Sequence, residues 1–174
     1  MRFAFLLPFV AVLLSGCAGY QIGPVKPKFM KDINKISIQT FRNDTLEPRV
    51  EVDLANAVIN QFQQDGTLQI VDEKDADAYL ECTLDMIQRH PARSVIGNVL
   101  QTQEFTLMIR GRFYLKKRGT GVLLDTRTVI GTTSFYVSGS GRIAADVNQD
   151  ERQAIPLAAQ NMAVQLVSQY TEGW

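Results

Sequence analysis

Two sets of residues in this 174-residue chain could do chemistry. The first is Cys17, which follows Leu14-Ser15-Gly16 and closes an apolar run from Phe3 to Leu14 preceded by Arg2. That run is shorter than the roughly 20 residues a membrane helix needs, and small residues at its end suit a peptidase that must take up an extended chain. The pattern is a secretory signal over residues 1–16 ending in a lipobox, with the Cys17 thiol as the acylation site. The second set is Arg110, Arg112, Lys116, Lys117 and Arg118. Guanidinium groups hold phosphate through a two-donor fork, so cations at alternate positions of one strand suit phosphorylated sugars.

Acyl chains contribute about 0.8 kcal/mol per buried CH₂, and two or three chains together hold a protein permanently at a membrane. The expected organisation is therefore a signal peptide (1–16), a lipidated tether (17–30) rich in Gly and Pro, and one folded domain (31–174). Bacterial lipoproteins kept in the inner membrane commonly carry Asp after the cysteine. Here that residue is Ala18, which points to the periplasmic face of the outer membrane.

Lys and Arg number 18 and Asp and Glu 18, so the chain is formally neutral. The charge is nonetheless segregated, because residues 86–145 hold nine basic side chains and only Glu104 and Asp125 as acids. Segregation of this kind builds a local field, here a basic one.

Several classes of function find no support. The single histidine, His90, precedes Pro91, and no Ser-His-Asp set, P-loop or dinucleotide glycine pattern accompanies it. No catalytic residue, cofactor or metal site is expected. With Cys17 lipidated, Cys82 is left without a disulfide partner and too few ligands remain for a cysteine metal site. Its place in an alternating run makes it a buried, inert thiol. Nucleic acid is excluded as a partner by the lipid anchor and by the lack of an aromatic platform, since Phe105 and Phe113 read as core.

The elements that must position these residues follow from periodicity. Ile33 to Phe41 reads as a strand with Ile36 and Ile38 inward. A helix is expected from Leu46 to Asp65, with Glu47 and Pro48 in its first turn, a stripe of Val50, Leu54, Ala57, Val58 and Phe62, and Gly66 as its stop. Leu68 to Val71 is a short strand parallel to the first. After the acid-rich turn Asp72 to Asp77, Ala78, Leu80, Cys82, Leu84 and Met86 alternate as the inward face of a third strand. Pro91 to Thr102 reads as a long hairpin loop. Glu104 to Lys116 resumes the alternation, with Phe105, Leu107, Ile109, Phe113 and Leu115 inward and Arg110, Arg112 and Lys116 outward. Arg118-Gly119-Thr120-Gly121 is a tight turn into a Thr-rich strand, Val122 to Tyr136, where Gly131 suggests a bulge. Beyond the Ser138–Gly141 loop, a second helix from Asp146 or Asn148 to Thr171 carries Ile155, Ala158, Ala159, Met162, Leu166 and Tyr170. Pro156 either delays its start or kinks it. The sum is an α+β two-layer sandwich, two helices on one face of a mixed sheet of about five strands.

The lipobox followed by Gly19-Tyr20, the run Thr40-Phe41-Arg42-Asn43-Asp44-Thr45-Leu46-Glu47-Pro48, the Ala76-Asp77-Ala78 before the next strand, the long paired strands and the last helix together resemble the LptE family of lipopolysaccharide-assembly lipoproteins. The resemblance spans essentially the whole chain after the signal. It implies a two-layer fold and a place inside the outer-membrane β-barrel LptD, as a plug that assists lipopolysaccharide export. The five cations would then meet lipopolysaccharide phosphates. The other reading is a periplasmic regulatory or secretion lipoprotein acting on a cell-wall synthase or an export pore.

Overall fold

The computed structural model describes residues 26–95, 98–136 and 143–172, with side chains over 26–93, 104–136 and 150–172. The expected signal, Cys17, the expected tether up to residue 25 and the loop expected at Ser138–Gly141 lie outside the described residues. The elements are β1 (Lys35–Ile38), β2 (Arg42–Asn43), α1 (Val50–Asp65), β3 (Gln69–Ile70), β4 (Ala78–Val95), β5 (Asn98–Lys117), β6 (Leu123–Tyr136) and α2 (Ile143–Thr171).

Four apolar side chains at helical spacing, Val50, Leu54, Val58 and Phe62, are buried along α1. Their transfer from water is worth about 8 kcal/mol by area bookkeeping. Ala57, expected in the same stripe, is only partly buried. Gly66 ends the helix at φ 72°, donating its N–H to the Phe62 carbonyl at 3.0 Å. The start differs from expectation. Residues 46–49 form a turn, Leu46 is fully exposed, and Arg49 caps α1 in the left-handed region at φ 70°. Asn43 explains the turn: its Nδ2 donates to the Glu47 carbonyl and to Glu51 Oε2, both at 2.7 Å, while its Oδ1 accepts from Thr45 N–H and Oγ1. These bonds hold the chain out of the helix until Val50.

The sheet has six strands in the order β3-β1-β4-β5-β6, with the two-residue β2 alongside β4. β1 is parallel to β3 and β4, and β4, β5 and β6 form an antiparallel meander. The strand expected over Ile33–Phe41 is shorter, and Ser37 as well as Ile36 is buried in it. The loop expected at Pro91–Thr102 is instead mostly strand, for β4 runs to Val95 and β5 begins at Asn98, with irregular register beyond Pro91.

Apart from the irregular end beyond Pro91, two bulges break the register, neither at Gly131. One places Asp85 unpaired between Leu84↔Gly111 and Met86↔Arg110. An extra residue reverses the alternation, so Met86 points outward and Ile87 takes the inward place against the core. The other lies between Leu115 and Lys116, opposite the Leu123–Asp125 segment. Gly131 serves helix packing. A Cβ there would overlap the Ala158 carbonyl oxygen and press on Met162 Cβ, so only glycine lets α2 lie this close to β6.

Helix α2 begins earlier than expected and runs through Pro156, which costs it the bond to the Arg152 carbonyl. Ile155, Ala158, Ala159, Met162, Leu166 and Tyr170 are buried, joined by Ala154, Ala163 and Val167. The helix packs on β6 and β5, and α1 packs beside it. At the outer edge of the sheet Asn161 Oδ1 accepts the Thr132 backbone N–H at 3.1 Å and is itself held by Gln165 at 2.8 Å. Before β1, Met30 is fully buried and the Phe29 ring meets Tyr170 edge-on at 6.2 Å.

Candidate functional site

Both helices lie on one side of the meander, and its opposite side carries the outward alternation of β4 and β5. There Arg110 lies beside Met86, Arg112 beside Thr83 and Lys116 beside Tyr79. The carboxylate thrust out by the bulge sits between the two arginines. Asp85 Oδ1 is 2.7 Å from Arg110 Nε and its Oδ2 is 2.9 Å from Arg112 Nε. One oxygen serves each arginine, so neither guanidinium is taken up as a two-donor fork and donors remain on both. The two cations with one carboxylate keep a net single positive charge.

Lys116 is held differently. Its Nζ reaches Glu81 Oε2 at 2.7 Å and lies 5.9 Å from the centre of the Tyr79 ring. The hydrogen bond that Lys116 donates to Glu81 raises its pKa. Lys117 has the opposite parity, opposite Ala78, and Arg118 lies in the turn, where its backbone N–H donates to the Asp77 carbonyl. The structure therefore gathers Arg110, Arg112 and Lys116 on the outward face and places Lys117 and Arg118 at its end.

Much of the basic excess is balanced at short range. Arg89 pairs with Glu151 at 2.9 Å, Arg93 with Glu104 at 3.7 Å and Arg127 with Asp125 at 2.6 Å. Asp85 and Glu81 escaped the sequence count because they precede residue 86 and act across the strands. Arg89 reaches the helix layer because the Asp85 bulge turns it inward, opposite Leu107. Its partner Glu151 is buried, and burial raises the Glu151 pKa, against which the Arg89 charge works.

Other residues with reactive groups are structural. Cys82 is buried, and loss of solvent pushes its thiol pKa well up, which leaves no thiolate at neutral pH. His90 is exposed. Among the described residues no group of three metal-ligating side chains occurs, and no helix there is long and apolar enough to cross a membrane.

The fold recurs in solved structures at low identity. A minor lipoprotein from Acinetobacter baumannii is 16% identical with a TM-score of 0.52, covering 80% of this chain and 91% of that one. A protein from Xanthomonas campestris is 12% identical with a TM-score of 0.54, covering 83% and 86%. The PelC dodecamer from Paraburkholderia phytofirmans is 11% identical with a TM-score of 0.50, covering 81% and 89%. These likenesses concern the fold. Among curated proteins none matches the chain by sequence. The family model for LptE, lipopolysaccharide-assembly, matches residues 33–170, which take in every element from β1 to nearly the end of α2. The chain thus belongs to the LptE lipopolysaccharide-assembly family.

Proposed function

We propose that this chain is a lipoprotein acylated at Cys17, seated on the periplasmic face of the outer membrane, which plugs and supports the LptD β-barrel during lipopolysaccharide assembly. The family match over residues 33–170 carries this reading. The lipobox at Leu14–Cys17 supports the anchor, and the work is placement rather than catalysis. Lipopolysaccharide phosphates would meet the outward sheet face. A phosphate arriving at Arg110 and Arg112 takes up their remaining donors and competes with Asp85 for the rest, while Lys116, Lys117 and Arg118 extend the positive path toward the turn.

The decisive experiment is affinity purification of the acylated protein from detergent-solubilised envelope. The expected result is co-purification with the LptD barrel. Recovery instead with a cell-wall synthase, or as a homomeric ring, overturns the reading.

A further inference from the structure

We propose that the groove between α1 and α2 binds the uncharged, hydroxyl-rich part of a saccharide. It lies on the helix layer, away from the arginines of the sheet. Asn56, Asn60, Gln61 and Gln64 line it from α1 and Gln160 from α2. On α1 the 56, 60 and 64 positions are four apart and stand in one row, and Pro156, Gln160 and Val164 make the matching row on α2.

Among the described residues none of these five amides has a side-chain hydrogen-bond partner. Two amides that hold the fold differ, since Asn43 is bonded at both ends of its amide and Asn161 is engaged by Thr132 and Gln165. Each free amide offers two donors beside an acceptor with two lone pairs. Adjacent sugar hydroxyls, each both donor and acceptor, present the matching pattern at matching spacing. Asp53 adds a carboxylate that only accepts, and half-exposed Val164 with Pro156 offers an apolar surface to the C–H face of a ring.

Charge separates this groove from the phosphate-facing side. Residues 54–64 contain no charged side chain, where a solvated helix face ordinarily carries Lys and Glu, which are also better helix formers than Asn. Asp53 is the one ionised group at the groove, and it repels phosphate. The volume, about 440 Å³, falls within the range of small-ligand sites, roughly 300 to 1,000 Å³. A site built to hydrogen-bond hydroxyls discriminates strongly against ligands lacking them.

The choice of saccharide rests on the lipopolysaccharide reading; the groove chemistry does not. The test uses the full-length protein in a zwitterionic detergent free of sugar, with calorimetric titration of two probes. One is lipopolysaccharide polysaccharide freed from lipid A by mild acid and dephosphorylated with hydrogen fluoride; the other is phosphorylated lipid A. The dephosphorylated polysaccharide is expected to bind with little dependence on salt. Its affinity should fall by about tenfold or more in an Asn60→Leu/Gln160→Leu protein, the loss of about two hydrogen bonds. Gln63→Leu, outside the groove, should leave it unchanged, and lipid A binding should not respond to either change. Absence of polysaccharide binding, undiminished binding by the double variant with its melting curve intact, or binding abolished by salt overturns the proposal. Barrel co-purification of the same variants separates the two readings. A protein that holds the barrel and fails to bind polysaccharide loses the groove alone, whereas one that binds polysaccharide without any barrel keeps it.

Discussion

Asp77 accepts the backbone N–H groups of Asn34 at 3.0 Å and Lys35 at 2.9 Å, tying the entry of β1 to the start of β4. Its neighbours Ala76 and Ala78 are buried, so an Ala-Asp-Ala run puts two small side chains into the core and one acceptor at the strand edge. The backbone donors hold the Asp77 carboxyl below its ordinary pKa. A depressed carboxylate stabilises the fold above its unfolded pKa, and that contribution disappears as pH falls through the folded value. Asp77→Ala should therefore destabilise the fold modestly at neutral pH, since the exposed carboxylate is screened by solvent, and the difference from the parent should shrink in acid, measured by urea melts across pH. A constant difference across acid pH would show that Asp77 acts through something other than its charge. Gly131 makes the steric counterpart. Gly131→Ala should destabilise by about 1–3 kcal/mol, because the added methyl meets the Ala158 backbone rather than a side chain able to swing away. An unchanged thermal midpoint would mean that α2 can slide on the sheet. The glycine was visible in the sequence, but its reason was not, since a bulge and a close helix crossing ask for the same residue.

Helix α1 was legible over its apolar stripe and illegible at its beginning. Alternation at i and i+4 locates Leu54 and Phe62 in the core without reference to anything else, whereas the turn before Val50 depends on one amide, Asn43, whose four bonds outweigh the helix signals of Glu47 and Pro48. Leu54→Ala or Phe62→Ala should cost about 2–5 kcal/mol through lost transfer energy and the cavity left behind. Gln64→Ala, exposed on the same helix, should change stability by less than about 0.5 kcal/mol. Equal urea midpoints for the core and exposed variants would place the stripe on the wrong face. In β4 the bulge was hidden for a similar reason: Asp85 continues the polar alternation perfectly, and only the partner strand shows that it is an extra residue. From there to Pro91 the inward and outward assignments reverse, which is why Met86 faces out and Arg89 faces in.

Layer order was readable because amphipathic periods of two and 3.6 residues alternate along the chain, and the parallel β1–β3 pair follows from the helix between them. The electrostatics were less readable, since ion pairs such as Lys116–Glu81 join residues far apart in sequence. This bears on the outward face. Neutralising Arg110, Arg112 and Lys116 together should weaken lipopolysaccharide binding and flatten its salt dependence while the fold persists, because these side chains are partly exposed and screening reaches them within about 10 Å at 0.1 M salt. Parental affinity at low salt in the triple variant would make the face a docking or solvated surface. Strand β6 carries a further consequence. The Thr132 N–H points away from β5, and by alternation so do those of Ile130 and Ser134, along a border with no charge from Thr128 to Tyr136. Such a border is a template on which an identical chain can zip itself, ending in fibrils rather than in function. Asn161 stoppers its middle by occupying one rung of the ladder, and Asn161→Ala should turn a monodisperse sample into one that self-associates with concentration in sedimentation runs.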